Sequence, residues 1–279
     1  MTAAWSITTS SPAARLYEQL WKHCTPRTKR RSRLLHKQQM TKLWKELSKK
    51  HEQRQPKGEK DMNHTPINAK PRQLDDFVFG NTFAESKLRY FLRNPNILGE
   101  SKHGILLHGD YGAGKTELAM RLPEMLEDAL AGSSQDVLDA DTMVINCCLK
   151  NVEKLLNNAQ RFAECMPIQS RFRYVVLDEL DALPTKLKRS LKGIISSYPS
   201  TCWIATANKI DAIDDAVRDR LSVIAMPHAT PEAWVPRVQE VLKANGKTTY
   251  DDNAVLAILL NLPSMSARDV MEATYRLMD

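Results

Sequence analysis

One short stretch constrains this chain more than any other. It is "HGDYGAGKTE", residues 108–117, directly after the apolar run Ile105, Leu106, Leu107. Gly109, Gly114, Lys115 and Thr116 fit the spacing G-x-x-x-x-G-K-[ST], with a strand-like run before them and a helical pattern from Glu117 to Leu122 after them. In a loop of this kind the backbone N–H groups turn inward around an anion. Glycine is required where a Cβ would block the close approach. The candidate cradle is therefore Gly109, Asp110, Tyr111, Gly112, Ala113, Gly114, Lys115 and Thr116. Lys115 is expected to neutralise β- and γ-phosphates, and the Thr116 hydroxyl to ligate Mg2+. ATP and Mg2+ are the expected cofactors.

The rest of the pattern fits around that loop. Apolar runs at "GILLHG" (104–109), "TMVINC" (142–147), "YVVLDE" (174–179), "CWIATAN" (202–208) and "SVIAMP" (222–227) read as strands of a buried parallel sheet, separated by helical patterns. From residue 231 the pattern is helical only: "PEAWVPRVQEVLKAN", "DNAVLAILLNL" and "SARDVMEATYRLM". Residues 13–23 and 34–50 also read as helices, joined by the basic "PRTKRRSR" and followed by a polar, proline-bearing linker. The predicted class is α/β: a parallel sheet flanked by helices (66–228), a small all-helical lid (229–279) and a basic helical N-terminal extension (1–65).

Three further features carry chemistry. "VVLDEL" delivers Asp178 and Glu179 to the C-terminal end of a buried strand, where ligands bind in open α/β sheets. Asp178 is the candidate Mg2+ partner, and Glu179 the candidate general base. Asn208 ends "WIATAN" and can orient an attacking water, although asparagine is also common simply as a turn residue. Arg218 and Arg220 in "AVRDRL", and Arg268 in "SARDVMEA", are candidates for meeting charge on phosphoryl oxygens; a finger acting in trans needs a neighbouring subunit.

Charge and cysteine usage bound the remaining classes. Residues 1–61 hold 15 Lys/Arg against 5 Asp/Glu, a net of +10, while the whole chain is +7 and the remainder therefore −3. Such a segment suits an anionic partner, most often nucleic acid, and equally fits a solvated tail. The 5 cysteines form no C-x-x-C pair, so a reducing compartment is expected rather than a disulfide framework or a zinc site. No apolar run reaches the roughly 18 residues of a membrane span, and the N-terminus does not read as a signal peptide. A soluble protein of the cytoplasm, nucleoid or nucleus is the expectation.

These residues, in this order, resemble the AAA+ ATPases over about residues 66–279. "GDYGAGKT" is similar to their Walker A loop and "VVLDEL" to Walker B. Asn208 matches the sensor 1 position, Arg220 the arginine finger and Arg268 sensor 2 on the lid. "KPRQLDDFVFGNTFAESKLRYFL" resembles the adenine-side segment, which implies Pro71, Val78 and Phe79 near the base. Within the family, "LDELDAL" and "ISSYPSTCWIATANKIDAIDDAVRDRLSVIAM" are most similar to clamp loaders, both the cellular small subunits and the T4-like phage counterpart. Asp219-Arg220-Leu221 stands where those proteins usually carry Ser-Arg-Cys. The lid is expected to close the chain without a clamp loader's collar.

The resemblance implies an oligomeric ATPase, arranged as a ring or spiral of itself or related subunits, that loads or remodels replication proteins such as a sliding clamp on DNA. On the helix after "VVLDEL", Leu187, Leu191, Ile194 and Ile195 form one stripe, and Lys186, Lys188, Arg189 and Lys192 the opposite arc. That arc is the candidate DNA-backbone contact, sequence-independent because no aromatics interleave it; a merely solvated face has the same pattern. Two other readings remain open. One is an ATP-dependent DNA-bound scaffold or matchmaker for transposition or plasmid and phage replication. The other is a small-molecule kinase. A protein unfoldase lacks its aromatic pore-loop signature in "LKNVEKLL".

Overall fold

The structure is a computed structural model that describes residues 70–98, 102–131, 140–168 and 170–278. The extension expected over 1–65, with its two helices, lies outside the described residues.

Five short strands make one parallel sheet: β1 (Gly104–His108), β2 (Thr142–Asn146), β3 (Arg173–Asp178), β4 (Thr201–Ala207) and β5 (Ser222–Ala225), in the order β2-β3-β4-β1-β5. All five expected strands are present, each within a residue or two of its predicted ends. The central three read as near-continuous apolar runs because helices cover both of their faces. β2 differs from the expectation of a buried strand. It is an edge, with Ile145 alone buried and Val144 facing outward.

The helices divide between the two faces. On one face α1 (Thr82–Arg93) and α2 (Lys115–Ala131) place Leu88, Phe91, Leu118, Leu122 and Leu126 against Ile105, Leu107, Val176 and Ile204. On the other, α3 (Val152–Glu164), α4 (Thr185–Ser197) and α5 (Asp215–Arg220) place Leu156, Phe162, Leu191, Ile195 and Val217 against Leu106, Val175, Leu177 and Trp203. Alternate residues of each strand thus feed two separate cores.

Three helices follow: α6 (Pro231–Ala244), α7 (Asp252–Leu260) and α8 (Ala267–Arg276). Each begins at a side-chain cap, from Thr230, Asp251 and Ser266 respectively, satisfying N–H groups that have no partner within the helix. They share a core of Trp234, Val238, Leu242, Val255, Leu259 and Val270. Arg237 of α6, itself buried, ties this group to the sheet side through Asp76 at 3.0 Å. The backbone N–H groups of Arg72 and Gln73 also reach Asp76. These bonds and Arg237 outweigh the opposing effect of burial and hold the Asp76 carboxyl below its ordinary range.

Candidate phosphate-binding site

The site gathers at the C-terminal ends of β1, β3 and β4, which run side by side in the sheet in the order β3-β4-β1. The chain leaves β1 at His108 and turns through 109–114 before α2 starts at Lys115. Two glycines make that turn possible. Gly109 has φ +140°, and a Cβ there would lie 2.3 Å from the Met226 carbonyl oxygen. Gly112 has φ +79°, and a Cβ there would lie 2.6 Å from Ser266 Cβ. Gly114 also has positive φ, and such loop conformations expose successive N–H groups to an anion.

Lys115 is 6% exposed, and its Nζ donates to the carbonyl oxygens of Gly109 (2.9 Å) and Asp110 (2.6 Å). Burial lowers its pKa from the ordinary lysine value, partly offset by Asp110, Asp181, Asp178 and Glu179. Burial likewise lowers His108, assisted by the charges of Lys115 and Arg218. The Lys115 ammonium and the N–H groups of the turn favour an anion here, whereas the surrounding carboxylates oppose one and favour a cation beside it.

The structure brings the two acids to this loop. The Thr116 hydroxyl donates to Asp178 Oδ1 at 2.8 Å, and the Thr206 hydroxyl donates to the same oxygen at 2.7 Å. Glu179 begins the turn after β3 with φ 56° and ψ 49°, in the left-handed region, and its N–H donates to Thr206 Oγ1 at 2.9 Å. Its side chain accepts from Cys148 Sγ at 2.7 Å. That bond to the carboxylate pushes the Cys148 thiol up to about 11. Neighbouring Cys147 is buried and pushed up to about 12.

Asn208 follows β4 directly, beside the loop, because the Gly109 N–H donates to the Ala207 carbonyl at 3.3 Å. Arg268 is exposed on the first turn of α8, and the start of that helix rests on the loop: the Ala267 N–H donates to the Gly112 carbonyl at 2.8 Å. His228, ahead of α6, reaches the Tyr111 carbonyl through Nε2 at 2.7 Å. Val78 packs against the α6–α8 core, and Phe77 lies 4.0 Å from where a Gly114 Cβ would stand. Phe79 stacks near Phe77, with ring centroids 6.5 Å apart, and Pro71 is half-buried at the start of the described chain.

One expected grouping differs, the basic arc on α4. Arg220, expected to act from a neighbouring subunit, is not at its own loop. The His103 N–H donates to its carbonyl oxygen at 2.8 Å, which puts Arg220 at the opposite end of β1, about 17 Å of extended strand away. Its guanidinium donates to Ser196 Oγ and to the Ala216 carbonyl. On α4, Lys186, Arg189 and Lys192 are exposed as expected, whereas Lys188 Nζ donates to the carbonyl oxygens of Asp181 and Ala212, both at 2.8 Å. Lys188 thus joins two loops rather than standing in the outward array.

Sequence reasoning passed over Thr206, Cys148, Ser266 and His228. Thr206 had a signal, a hydroxyl near the end of the apolar run that leads to Asn208. The others are brought in only by packing.

Comparison with known proteins follows the same lines. Residues 105–227 match the family model described as "ATPase family associated with various cellular activities (AAA)". The chain is 26% identical over 196 residues to the replication factor C small subunit of Methanoculleus marisnigri, covering 68% of this chain and 57% of that one. It is 24% identical over 161 residues to the sliding-clamp-loader large subunit of Escherichia phage RB69, covering 57% of this chain and 47% of that one. The chain thus spans about half the length of these curated relatives. Among solved structures, Thermotoga maritima RuvB, titled a Holliday junction branch migration motor, superposes with TM-score 0.52 at 18% identity, over 75% of this chain and 65% of that one. At that identity the likeness concerns the fold.

Proposed function

Residues 105–227 match the AAA family model, and from that match we propose that the chain binds ATP with Mg2+, hydrolyses it, and works as an oligomer that loads or remodels replication proteins on DNA. One observation carries the chemistry. The acids ending β3 meet the loop that starts α2, through the 2.8 Å bond from Thr116 to Asp178.

The residues fit the metal. A hydroxyl and a carboxylate sharing one small space are the hard oxygen donors that suit Mg2+. Thr116 would hold it directly and Asp178 through water. When bound, Mg2+ neutralises charge on the phosphate oxygens.

The other roles belong to this chain's own groups. The 109–114 amides and Lys115 hold the phosphates. Glu179 takes the proton of the attacking water, which Asn208 orients. Arg268 approaches from the start of α8, and Val78 lies on the base side. Arg220 serves a neighbouring copy's phosphate, since a whole strand length separates it from its own loop. Residues 66–228 act as the ATPase core, 229–279 as a lid and 1–65 as a basic extension. Lys186, Arg189 and Lys192 supply DNA-backbone contacts.

The names of the relatives, a replication factor C subunit and a clamp-loader subunit, support replication as the setting and a sliding clamp as a partner. The net +10 of residues 1–61 favours, as a second reading, a DNA-bound scaffold in which ATP drives assembly and hydrolysis resets it.

The test is hydrolysis by the purified protein with and without primed DNA, across protein concentration, with Glu179→Gln as control. The proposal expects DNA stimulation rising cooperatively with concentration and abolished in the variant. Turnover linear in protein and indifferent to DNA would overturn the oligomeric mechanism. Stable ATP-dependent filaments on DNA with no effect on a clamp would favour the scaffold. A stoichiometric phosphorylated acceptor would point to a kinase.

A further inference from the structure

β4 carries one hydroxyl where the sheet meets the site. Thr206 is 2% exposed, on a strand whose preceding residues Cys202 and Ile204 pack in the core beneath α1 and α2. Side chains alternate along a strand, so Thr206 continues that same face. On β3 the same face holds Tyr174 and Val176, and Leu177 pairs with Ala205. The next register position sets Asp178 beside Thr206.

The bonding of this hydroxyl is fully assigned. It donates to Asp178 Oδ1 at 2.7 Å and accepts from the Glu179 N–H at 2.9 Å. An ionised carboxylate only accepts and an amide N–H only donates, so the directions cannot be exchanged. Both bonds fall on residues with proposed roles in the reaction. Glu179 is also the one non-glycine residue with positive φ among the described residues. A backbone held in that region needs its surroundings to fix it. Thr206 supplies one such restraint from a neighbouring, fully buried strand.

We propose that Thr206 is a positioning residue of this ATPase: its hydroxyl orients the Asp178 carboxylate toward the metal and fixes the turn that aims Glu179 at the attacking water. This rests on the ATPase reading above. Packing alone does not ask for a hydroxyl here, since valine fills the same shape.

Two variants separate the possibilities. Thr206→Val keeps the shape and removes both bonds; Thr206→Ser keeps the hydroxyl and loses a methyl group. Steady-state hydrolysis and binding of a fluorescent ATP analogue are measured across Mg2+ concentration. Thr206→Val is expected to lower kcat by about tenfold or more and to raise the Mg2+ needed for half-maximal binding and turnover by about tenfold. KM for ATP and Mg2+-free analogue affinity should stay within about threefold. Thr206→Ser is expected to restore both Mg2+ dependence and kcat to within about threefold of the wild type. The proposal is overturned if Thr206→Val turns over like wild type at the same Mg2+, or if Thr206→Ser is as impaired as Thr206→Val. If the wild type neither hydrolyses ATP nor binds the analogue in a Mg2+-dependent way, the ATPase reading itself fails and takes this inference with it.

Discussion

Cys148 shows how far a residue's chemistry departs from its type once a neighbour is placed. By exposure it should be readily alkylated. Its proton is instead committed to Glu179 Oε2, and the thiol is pushed up to about 11. Thiolate is the reacting form, so a raised pKa removes reactivity at neutral pH and returns it as pH climbs toward 11. At pH 8 iodoacetamide should therefore modify Cys148 at least about tenfold more slowly in the native protein than in the urea-unfolded chain. Peptide mapping by mass spectrometry reads this directly. Glu179→Gln removes the carboxylate and should restore much of the rate. Equal rates in native and unfolded protein would mean that the thiol does not engage Glu179.

The elements show what can be read from sequence and what cannot. The five strands are legible because each is a compact apolar run, and the loop and acids are legible because each sits at the end of one. β2 is less so, since an apolar run does not reveal that its outer neighbour is missing. Thr206 and Asp178 lie 28 residues apart, so no local spacing announces their pairing. At the other end of the sheet a second long-range group was equally hidden. Arg173, 3% exposed, pairs with fully buried Asp141 at 2.6 Å and donates to the carbonyl oxygens of Ala140 and Met166. Asp141 in turn accepts from the Ile168 and Ser170 N–H groups. This joins the starts of β2 and β3 to the segment between α3 and β3. Asp141→Ala strands the arginine charge in the interior, at a cost of about 3–5 kcal/mol. The melting temperature is expected to fall by about 6–20 °C. Because the group sits at the opposite end of the strands from the phosphate loop, the folded variant should keep its nucleotide affinity. A melting temperature within about 2 °C of wild type would show that the pair is not a structural anchor.

At the scale of the whole molecule two distributions matter: where the charge lies, and which groups stand too far apart to act within one chain. Residues 1–61 carry +10 and the remainder −3, so in the proposed DNA complex the outward cations of α4 contribute locally against an acidic background. If Lys186, Arg189 and Lys192 each neutralise a phosphate, replacing the three with alanine should flatten the slope of log K against log salt by about 2.7 per chain on duplex DNA. Lys188→Ala should leave that slope alone while lowering stability, since its ammonium joins the Asp181 and Ala212 carbonyls. Equal slopes for wild type and triple variant would move DNA contact away from α4. The second distribution concerns Arg220, whose carbonyl bonds to the start of β1 while Lys115 follows its far end. No side chain spans that length, so a finger at Arg220 must work on another subunit's phosphate. Arg220→Ala and Lys115→Ala should then each be inactive alone. Mixed in equal amounts and allowed to exchange subunits, they place an intact Arg220 opposite an intact Lys115 at about a quarter of the interfaces, and hydrolysis should return to roughly that fraction of wild type. Arg220→Ala retaining full activity alone would remove it from the reaction. Two inactive variants that never complement each other would rule out a finger in trans and leave Arg220 with its bonds to Ser196 and Ala216 as its role.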